Sequence, residues 1–123
     1  MPDTIRSSEG LAQNDRLTST NNAYRLIMQS DGNLVLYCSE HTVPENAIWS
    51  SGTCNKSPFV GPYHFAMQSD GNLVIYDTYG RAVWASDTQH KGSPSHRLLM
   101  QNDGNLVVYD GNNHPTWASN TCR

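Results

Sequence analysis

Apolar and polar residues alternate along three short segments of this chain. In the first segment, RLIMQSDGNLVLY, the even positions carry the apolar side chains Leu26, Met28, Leu34 and Leu36. The odd positions carry a mainly polar set, Gln29, Asp31, Asn33, Val35 and Tyr37. A period of two residues is that of a β-strand, whose successive side chains point to opposite faces. The pattern therefore predicts β structure with one apolar face for a core and one polar face.

The tetrapeptide SDGN at positions 30–33 separates the two apolar arms of this segment. An Asp-Gly or Gly-Asn turn between apolar arms is a strong signal for a β-hairpin. Partners across a hairpin share a face, so pairing Gln29 with Val35 requires a loop of odd length. The simplest such loop is Asp31-Gly32-Asn33, with the glycine at positive φ.

The same alternation occurs three times, in QSDGNLVLY at 29–37, QSDGNLVIY at 68–76 and QNDGNLVVY at 101–109. The polar faces of the later copies hold Gln68, Asp70, Asn72, Val74 and Tyr76, then Gln101, Asp103, Asn105, Val107 and Tyr109. Their apolar faces hold Phe65, Met67, Leu73 and Ile75, then Leu98, Met100, Leu106 and Val108. A tryptophan follows each copy, in turn Trp49, Trp84 and Trp117. The repeated unit is thus a supersecondary structure and not a short linear motif.

Each repeat is expected to form a small sheet, because a third short strand ending at the tryptophan would join the hairpin. Three such sheets can bury their apolar faces by packing around a common pseudo-threefold axis, with the tryptophans in the core near that axis. We expect an all-β fold in a single domain over residues 1–123, with repeats at about 24–54, 63–89 and 96–122. The first repeat carries a four-residue insertion within SEHTVPEN at 39–46.

Composition narrows the choice of partners. Hydrophobic residues make up 37% of the chain, and the mean hydropathy of −0.60 favours an architecture with little interior per residue. A net charge of −3 leaves no basic stripe for nucleic acid. No apolar run approaches membrane-spanning length, so membrane insertion is not expected. The opening residues MPDTIRSSEG lack the pattern of a signal peptide, although a secreted or extracellular protein is still expected.

The repeated polar face is suited to a neutral ligand rich in hydroxyl groups. One carboxylate, two amides and a phenol supply donors and acceptors around one aliphatic side chain. A sugar needs such a set, because each hydroxyl both donates and accepts and the ring has a small apolar surface. The alternative is that Asp, Gly and Asn only build the turn and Tyr only favours a strand. That alternative explains neither the glutamine nor the identity of all five positions in three copies, so we favour a ligand site.

Enzymatic activity is not expected, and no catalytic residue, metal or cofactor is predicted. The five histidines, at positions 41, 64, 90, 96 and 114, lack zinc-ligand spacing, and no serine or cysteine lies in a nucleophile motif. The three motif aspartates fall on separate faces, whereas a glycosidase needs two carboxyl groups within roughly 5 to 10 Å. A hydrolase remains a remote alternative.

The pattern Gln-x-Asp-x-Asn-x-Val-x-Tyr, present three times with a downstream tryptophan, resembles the bulb-type (monocot-type, snowdrop-lectin-like) mannose-binding lectin family. The resemblance runs from about Leu11 to Trp117. It implies a β-prism II fold of three four-stranded antiparallel sheets around a pseudo-threefold axis, with one shallow mannose site on each sheet. The segment LAQNDRLTSTNNAYRLIMQ is similar to the family's first strands, whose N-terminal part belongs to the sheet that closes the prism. Residues 1–10 look like an N-terminal extension.

The resemblance also implies a role for each polar residue. Asp31 and Asn33 would bond the axial 2-hydroxyl of mannose, Gln29 the 3-hydroxyl and Tyr37 the 4-hydroxyl, while Val35 would pack against ring carbons. The same roles pass to the corresponding residues of the other two copies. The implied partners are mannose-terminated or high-mannose glycans and glycoproteins, bound multivalently by a homodimer or higher oligomer. Plant members dimerise by exchanging C-terminal strands, but the tail after Trp117 is short, so the exchange stays open for this chain. The alternative is a protein-interaction, inhibitor or toxin-like module on the same scaffold.

The cysteines depart from the family's pattern. Members usually hold a disulfide whose first cysteine lies inside the first motif, where this chain has Gly32. Cys38 and Cys54 bracket the insertion, and a bridge between them would contribute roughly 3 kcal/mol by closing a loop of about 16 residues. Cys122 would then be interchain or free. Because Cys54 and Cys122 both lie five residues after a tryptophan, another pairing stays open, as does a protein with all three thiols reduced.

Overall fold

The computed structural model describes residues 2–123 and consists of short antiparallel strands. In chain order the strands are β1 (Thr4–Arg6), β2 (Glu9–Ala12), β3 (Arg16–Thr18), β4 (Arg25–Met28), β5 (Leu34–Tyr37), β6 (Ala47–Ser50), β7 (His64–Met67), β8 (Leu73–Tyr76), β9 (Ala82–Ala85), β10 (Arg97–Met100), β11 (Leu106–Tyr109) and β12 (Pro115–Ala118). They form three four-stranded sheets, as expected. The first sheet has the order β3-β4-β5-β6, the second β2-β7-β8-β9 and the third β1-β10-β11-β12.

The N-terminal segment is part of the sheets, so the expectation of an extension over residues 1–10 is wrong. β1 pairs with β10, β2 with β7 and β3 with β4, which gives one outer strand to each sheet. Ile5, Leu11 and Leu17 occur at intervals of six residues and are 4%, 5% and 0% exposed. Each of these short strands therefore contributes one apolar side chain to the common core. Met1 lies outside the described residues.

The inner faces of the three hairpins form the core predicted from the alternation. All twelve predicted inner residues are at most 1% exposed, namely Leu26, Met28, Leu34, Leu36, Phe65, Met67, Leu73, Ile75, Leu98, Met100, Leu106 and Val108. Trp49, Trp84 and Trp117 meet as expected, with ring centroids 5.6 to 6.0 Å apart and edge-to-face geometry. Each lies on the fourth strand of its sheet and packs, partly buried, against the core. The prediction of a pseudo-threefold core is confirmed.

The hairpin turn has the predicted odd length, but its position differs by one residue. Ile27 pairs with Val35 and Met28 with Leu34, and the Gln29 amide donates to the Asn33 carbonyl at 3.0 Å. The loop is therefore 30–32, and Gln29 lies opposite Asn33 instead of Val35. The Gly32 amide donates to the Gln29 carbonyl at 3.1 Å with Gly32 at φ +85°. The Asp31 carboxylate accepts the Asn33 amide, which completes the tighter turn.

The C-terminal strand β12 pairs with β11 of the same chain, so the third sheet is complete without an exchanged strand. The insertion in the first repeat forms a loop that contains one turn of 3₁₀ helix, Pro44–Asn46. Within residues 2–123 there is no helix whose length and apolarity would let it cross a membrane.

Candidate functional site

The polar residues predicted for each repeat lie together on the outer face of its hairpin. We call them site 1 (on β4 and β5), site 2 (on β7 and β8) and site 3 (on β10 and β11). In site 1, Gln29 Nε2 donates to the Tyr37 hydroxyl, and the backbone amide of Asn33 donates to Asp31 Oδ1 at 2.9 Å. Both bonds recur in sites 2 and 3. The structure therefore brings together every polar residue that the sequence predicts.

These internal bonds leave a defined set of polar atoms for a ligand. Within residues 2–123 no protein group bonds Gln29 Oε1 or Asn33 Nδ2, and the Tyr37 hydroxyl accepts a hydrogen bond without donating one to the protein. Asp31 Oδ2 is a further acceptor at the same face. The site thus offers two donors and two acceptors in fixed positions, which is the arrangement that a pair of neighbouring hydroxyl groups needs.

A serine and a threonine hold the asparagine of each site. Asn33 Oδ1 accepts from the Ser51 hydroxyl and from the Thr53 amide, both at 3.2 Å, and the Thr53 hydroxyl donates to the Gly32 carbonyl at 2.6 Å. Ser86 and Thr88 act in the same way in site 2, and Ser119 and Thr121 in site 3. These serines and threonines were not predicted from the sequence. The signal was present, because WSSGT, WASDT and WASNT share a serine two residues and a threonine four residues after the tryptophan.

A ring from the following repeat supports each turn glycine. A Cβ on Gly32 would lie 2.9 Å from Tyr63 Cζ, one on Gly71 2.8 Å from His96 Nε2, and one on Gly104 2.9 Å from a ring carbon of Tyr24. These glycines have φ of +85°, +92° and +90°, a conformation that glycine adopts without strain. Each supporting ring lies five residues before a motif glutamine, so the three sites are braced in a cycle. Sequence analysis did not detect this brace, since it joins repeats that are distant along the chain.

The aliphatic residue of each site lies deeper than the polar ones. Val35, Val74 and Val107 are only 3% to 4% exposed, so they offer a narrow apolar strip at the base of each site. In site 1, Val35 packs with Ile27 and Tyr37, which are also buried.

The residue opposite the site tyrosine is an arginine in sites 1 and 3, Arg25 and Arg97, and a histidine in site 2, His64. In site 2, His64 stacks on Tyr76 at 5.2 Å between ring centroids, with 25° between the ring planes. In site 3, the Arg97 guanidinium lies 5.1 Å from the centroid of the Tyr109 ring, a cation–π arrangement. The three sites therefore share a polar centre, and site 2 differs from the other two at this edge.

Comparison with known proteins identifies the family to which this fold belongs. No family model matches the chain. It is 47% identical over 96 residues to comitin from Dictyostelium discoideum, which covers 75% of this chain and 51% of comitin, so the chain spans about half the length of that relative. A monomeric monocot mannose-binding lectin from Gastrodia elata has a TM-score of 0.84 and 38% identity, covering 98% of this chain and 99% of that one.

The chain belongs to the bulb-type mannose-binding lectin family. The snowdrop (Galanthus nivalis) agglutinin, solved with methyl-α-D-mannoside, gives a TM-score of 0.75 at 30% identity and covers 98% of both chains. The Polygonatum cyrtonema lectin, solved with a monomannoside, gives 0.74 at 33% identity over 87% of this chain and 88% of that one. The fold of this bulb-type lectin is the expected β-prism II.

The cysteines of this bulb-type lectin correct one prediction. Cys38, Cys54 and Cys122 are all free thiols, so the expected Cys38–Cys54 disulfide is not formed. Cys38 follows β5, whereas Cys54 lies beside Asp31 at the opposite end of that strand, with Sγ 3.3 Å from Asp31 Oδ2. A four-residue strand spans about 10 Å, and bridged cysteines need Cα atoms within about 7 Å. Cys38 and Cys54 lie on either side of the inserted loop in the sequence, but this did not bring them close together in space.

Two buried carboxylates lie outside the sites and hold the turns after β8 and β11. Burial alone would raise the pKa of Asp77, but hydrogen bonds from Arg81, through its side chain and its amide, and from the amides of Val60 and Tyr79 lower that pKa to about 2. Amide bonds from Ser93, His114 and Asn112 outweigh burial and likewise lower the pKa of Asp110.

The histidines and carboxylates of residues 2–123 form no cluster of three or more side chains that could hold a metal ion. The aspartates of the three sites lie on different sheets. Each site presents hydrogen-bonding side chains on an antiparallel hairpin.

Proposed function

We propose that this domain binds mannose and mannose-terminated or high-mannose glycans through three equivalent shallow sites, without catalysing a reaction. The observation that carries the proposal is the threefold recurrence of the same hydrogen-bonding side chains, in the same internal arrangement, on outer hairpin faces. The solved mannoside complexes of the snowdrop and Polygonatum lectins support it, because those proteins have the same fold.

The proposed contacts use the donors and acceptors described above; one of the acceptors, Asp31 Oδ2, already accepts a bond, from the Cys54 thiol at 3.3 Å. Asp31 Oδ2 would accept from the axial 2-hydroxyl of mannose, and Asn33 Nδ2 would donate to it. Gln29 Oε1 would accept from the 3-hydroxyl, and the Tyr37 hydroxyl would donate to the 4-oxygen. Glucose carries an equatorial 2-hydroxyl, so its binding would leave the carboxylate and the amide unpaired, which is costly.

Useful affinity in this scheme comes from several sites acting together. A monosaccharide on a shallow surface binds with about −4 kcal/mol, on the order of millimolar. Engaging several sites at once raises the apparent affinity by roughly 10²- to 10⁴-fold. The proposed natural ligand is therefore a branched glycan or a dense glycoprotein surface, and agglutination is the expected readout.

Isothermal titration with methyl α-mannoside tests the proposal, with methyl α-glucoside as the matched control. The expected result is three mannoside sites per chain and at least about tenfold weaker binding of the glucoside, since one mispaired buried polar group costs about 1–3 kcal/mol. A folded protein that bound neither sugar, or both equally, would contradict the proposal.

We also propose that one chain is sufficient for multivalent binding. β12 completes the third sheet of its own chain, so the three sites do not need an exchanged strand from a partner. The sequence-based prediction of a homodimer or higher oligomer stays a prediction. Light scattering on the eluting protein measures the mass directly, and a value near the 13.7 kDa of one chain would contradict the oligomer.

The oxidation state of the cysteines is related to the compartment in which the protein is found. Cys54 and Cys122 are exposed and unbridged, which is typical of proteins in a reducing compartment. This supports the alternative of a protein with three reduced cysteines over the predicted extracellular location. Counting free thiols in protein isolated from its source without reductant separates the two: three favour the reduced alternative, and one or none favours an oxidising environment.

A further inference from the structure

The residue five positions after each tryptophan lies next to the aspartate of a site. Cys54 Sγ donates to Asp31 Oδ2 in site 1, and Cys122 Sγ donates to Asp103 Oδ2 in site 3, both at 3.3 Å. Gln89 occupies this position in the second repeat. Within residues 2–123 no protein group bonds Asp70 Oδ2, the equivalent oxygen of site 2. Each site thus has an aspartate at the same position, but the group that contacts its Oδ2 atom is a thiol in sites 1 and 3 and not in site 2.

The backbone places this position in the same way in all three repeats. The amide of the next residue donates to the carbonyl of the site aspartate, from Asn55 to Asp31 at 2.7 Å and from His90 to Asp70 at 2.6 Å. The third repeat has the corresponding bond from Arg123 to Asp103, at 2.6 Å. The segment after each tryptophan strand is therefore fixed on the turn of its site, whatever side chain follows. The contrast between thiol and amide is one of residue type and not of backbone position.

We infer that Cys54 and Cys122 are ligand-contacting residues of sites 1 and 3, so that two of the three sites depend on the state of a thiol and site 2 does not. This inference rests on the proposed function, in which the same Oδ2 atom accepts from the 2-hydroxyl of mannose. A thiol is a weak donor and a carboxylate oxygen has more than one lone pair, so the unmodified thiol leaves room for the sugar hydroxyl.

The neighbouring carboxylate keeps these thiols protonated. The hydrogen bond to Asp31, then burial and the carboxylate's charge, raise the pKa of Cys54, and Asp103 does the same for Cys122. Both side chains are nevertheless exposed, so a small electrophile reaches them. Modification of Sγ would place new atoms in contact with Oδ2, where the sugar hydroxyl is proposed to bind.

Iodoacetamide is the probe for the test, at mildly alkaline pH. The thiolate sulfur attacks the methylene carbon, an S–C bond forms as the C–I bond breaks, iodide leaves and the thiol proton goes to solvent. The starting protein carries Cys38→Ala, which removes the thiol that lies outside the sites. After complete alkylation, confirmed by mass, the number of methyl α-mannoside sites should fall from three to one.

Two variants in the same Cys38→Ala protein make the test specific. In the variant that replaces both Cys54 and Cys122 by alanine, iodoacetamide should leave the number of sites as it was before treatment, since no thiol remains to be alkylated. Adding Gln89→Cys should make site 2 sensitive as well, so that alkylation abolishes binding. Methyl α-mannoside should in turn slow alkylation of Cys54 and Cys122.

The outcomes separate this inference from the function on which it rests. Three mannoside sites after complete alkylation of Cys54 and Cys122 would overturn the inference and leave the proposed function standing. A folded, unalkylated protein that binds no mannoside would contradict the proposed function, and this inference with it. Alkylation that unfolds the protein, seen as loss of its β-sheet circular dichroism, would contradict the placement of the two thiols at exposed rims.

Discussion

The inner and outer faces of each hairpin are built from alternate residues of the same strands, yet they differ in how strictly the residues repeat. The inner face accepts Leu26, Phe65 or Leu98 at one position and Leu36, Ile75 or Val108 at another. The outer face keeps the same five residues in all three copies. A core needs apolar volume, which different side chains supply, whereas a binding face needs particular atoms at particular positions. The same strands therefore encode both the fold and the site: one set of alternate positions points into the core, and the other set forms the site.

The largest effect should come from opening the inner face. Phe65 is 0% exposed, and Phe65→Ala should lower the free energy of unfolding by about 3–5 kcal/mol through lost burial and a cavity. Urea denaturation followed by tryptophan fluorescence measures the change. The outer-face control is Gln68→Ala, from the same hairpin, which should cost about 1 kcal/mol or less while abolishing site 2. Equal losses of stability in the two variants would contradict the claim that the inner face stabilises the fold while the outer face forms the site.

The turn glycines join the two faces and should show the next largest effect. Gly32→Ala forces a side chain into positive φ and against Tyr63, so it should cost about 2–3 kcal/mol and remove site 1. Gly52→Ala is the matched control, because Gly52 also has positive φ, +70°, but an added Cβ meets nothing within 4 Å. It should cost only about 1 kcal/mol. If both variants lost the same stability, the proposed brace by Tyr63 would be wrong.

On the outer face, Asp70→Asn should remove one site and leave the fold. Asparagine retains an oxygen for the Asn72 amide, which donates to Asp70 Oδ1 at 3.0 Å, but it replaces the outer acceptor with a donor. Titration should count two methyl α-mannoside sites, and the free energy of unfolding should change by about 0.5 kcal/mol or less. Loss of binding at all three sites would show that the copies do not act independently.

The smallest expected effect is on the stability of the protein in acid, and it comes from Asp77, which lies in the turn after β8 and on neither face of the hairpin. The pKa of Asp77 is lowered in the fold to about 2, so its ionised form stabilises the protein above the unfolded-state pKa, near 3.8. This contribution is lost as the pH falls from about 4 through about 2. Asp77→Asn should therefore reduce the drop in stability across that range, measured by thermal unfolding at a series of pH values. An unchanged acid profile would mean that other carboxylates, Asp110 among them, dominate it.

The fold and the polar residues of each site could be predicted from the sequence, because both follow from the local alternation of apolar and polar residues. The inner residues, the tryptophan cluster and the grouping of glutamine, aspartate, asparagine and tyrosine all follow from period two and a threefold repeat. Strand β1 and the start of β2 were missed because each strand is only three or four residues long and presents one apolar side chain to the core. Ile5 and Leu11 gave no periodic signal of their own.

Contacts between residues that are far apart along the chain could not be predicted from local sequence patterns either. The support of Gly32 by Tyr63 depends on how two repeats pack, and the bond between Cys54 and Asp31 depends on how the segment after the tryptophan folds back onto the turn of its own repeat. The disulfide prediction failed for the same reason, because it took closeness in sequence for closeness in space. Comparing the repeats with one another would have identified Ser51 and Thr53, since their positions recur after every tryptophan.

The most direct test of the central claim is nuclear magnetic resonance of the labelled protein during titration with methyl α-mannoside. The account predicts that the side-chain amides of Asn33, Asn72 and Asn105 all shift, while methyl α-glucoside at the same concentration leaves them nearly unchanged. Mannoside binding that left these three amides unperturbed and shifted signals elsewhere would contradict the assignment of the outer hairpin faces as sugar sites.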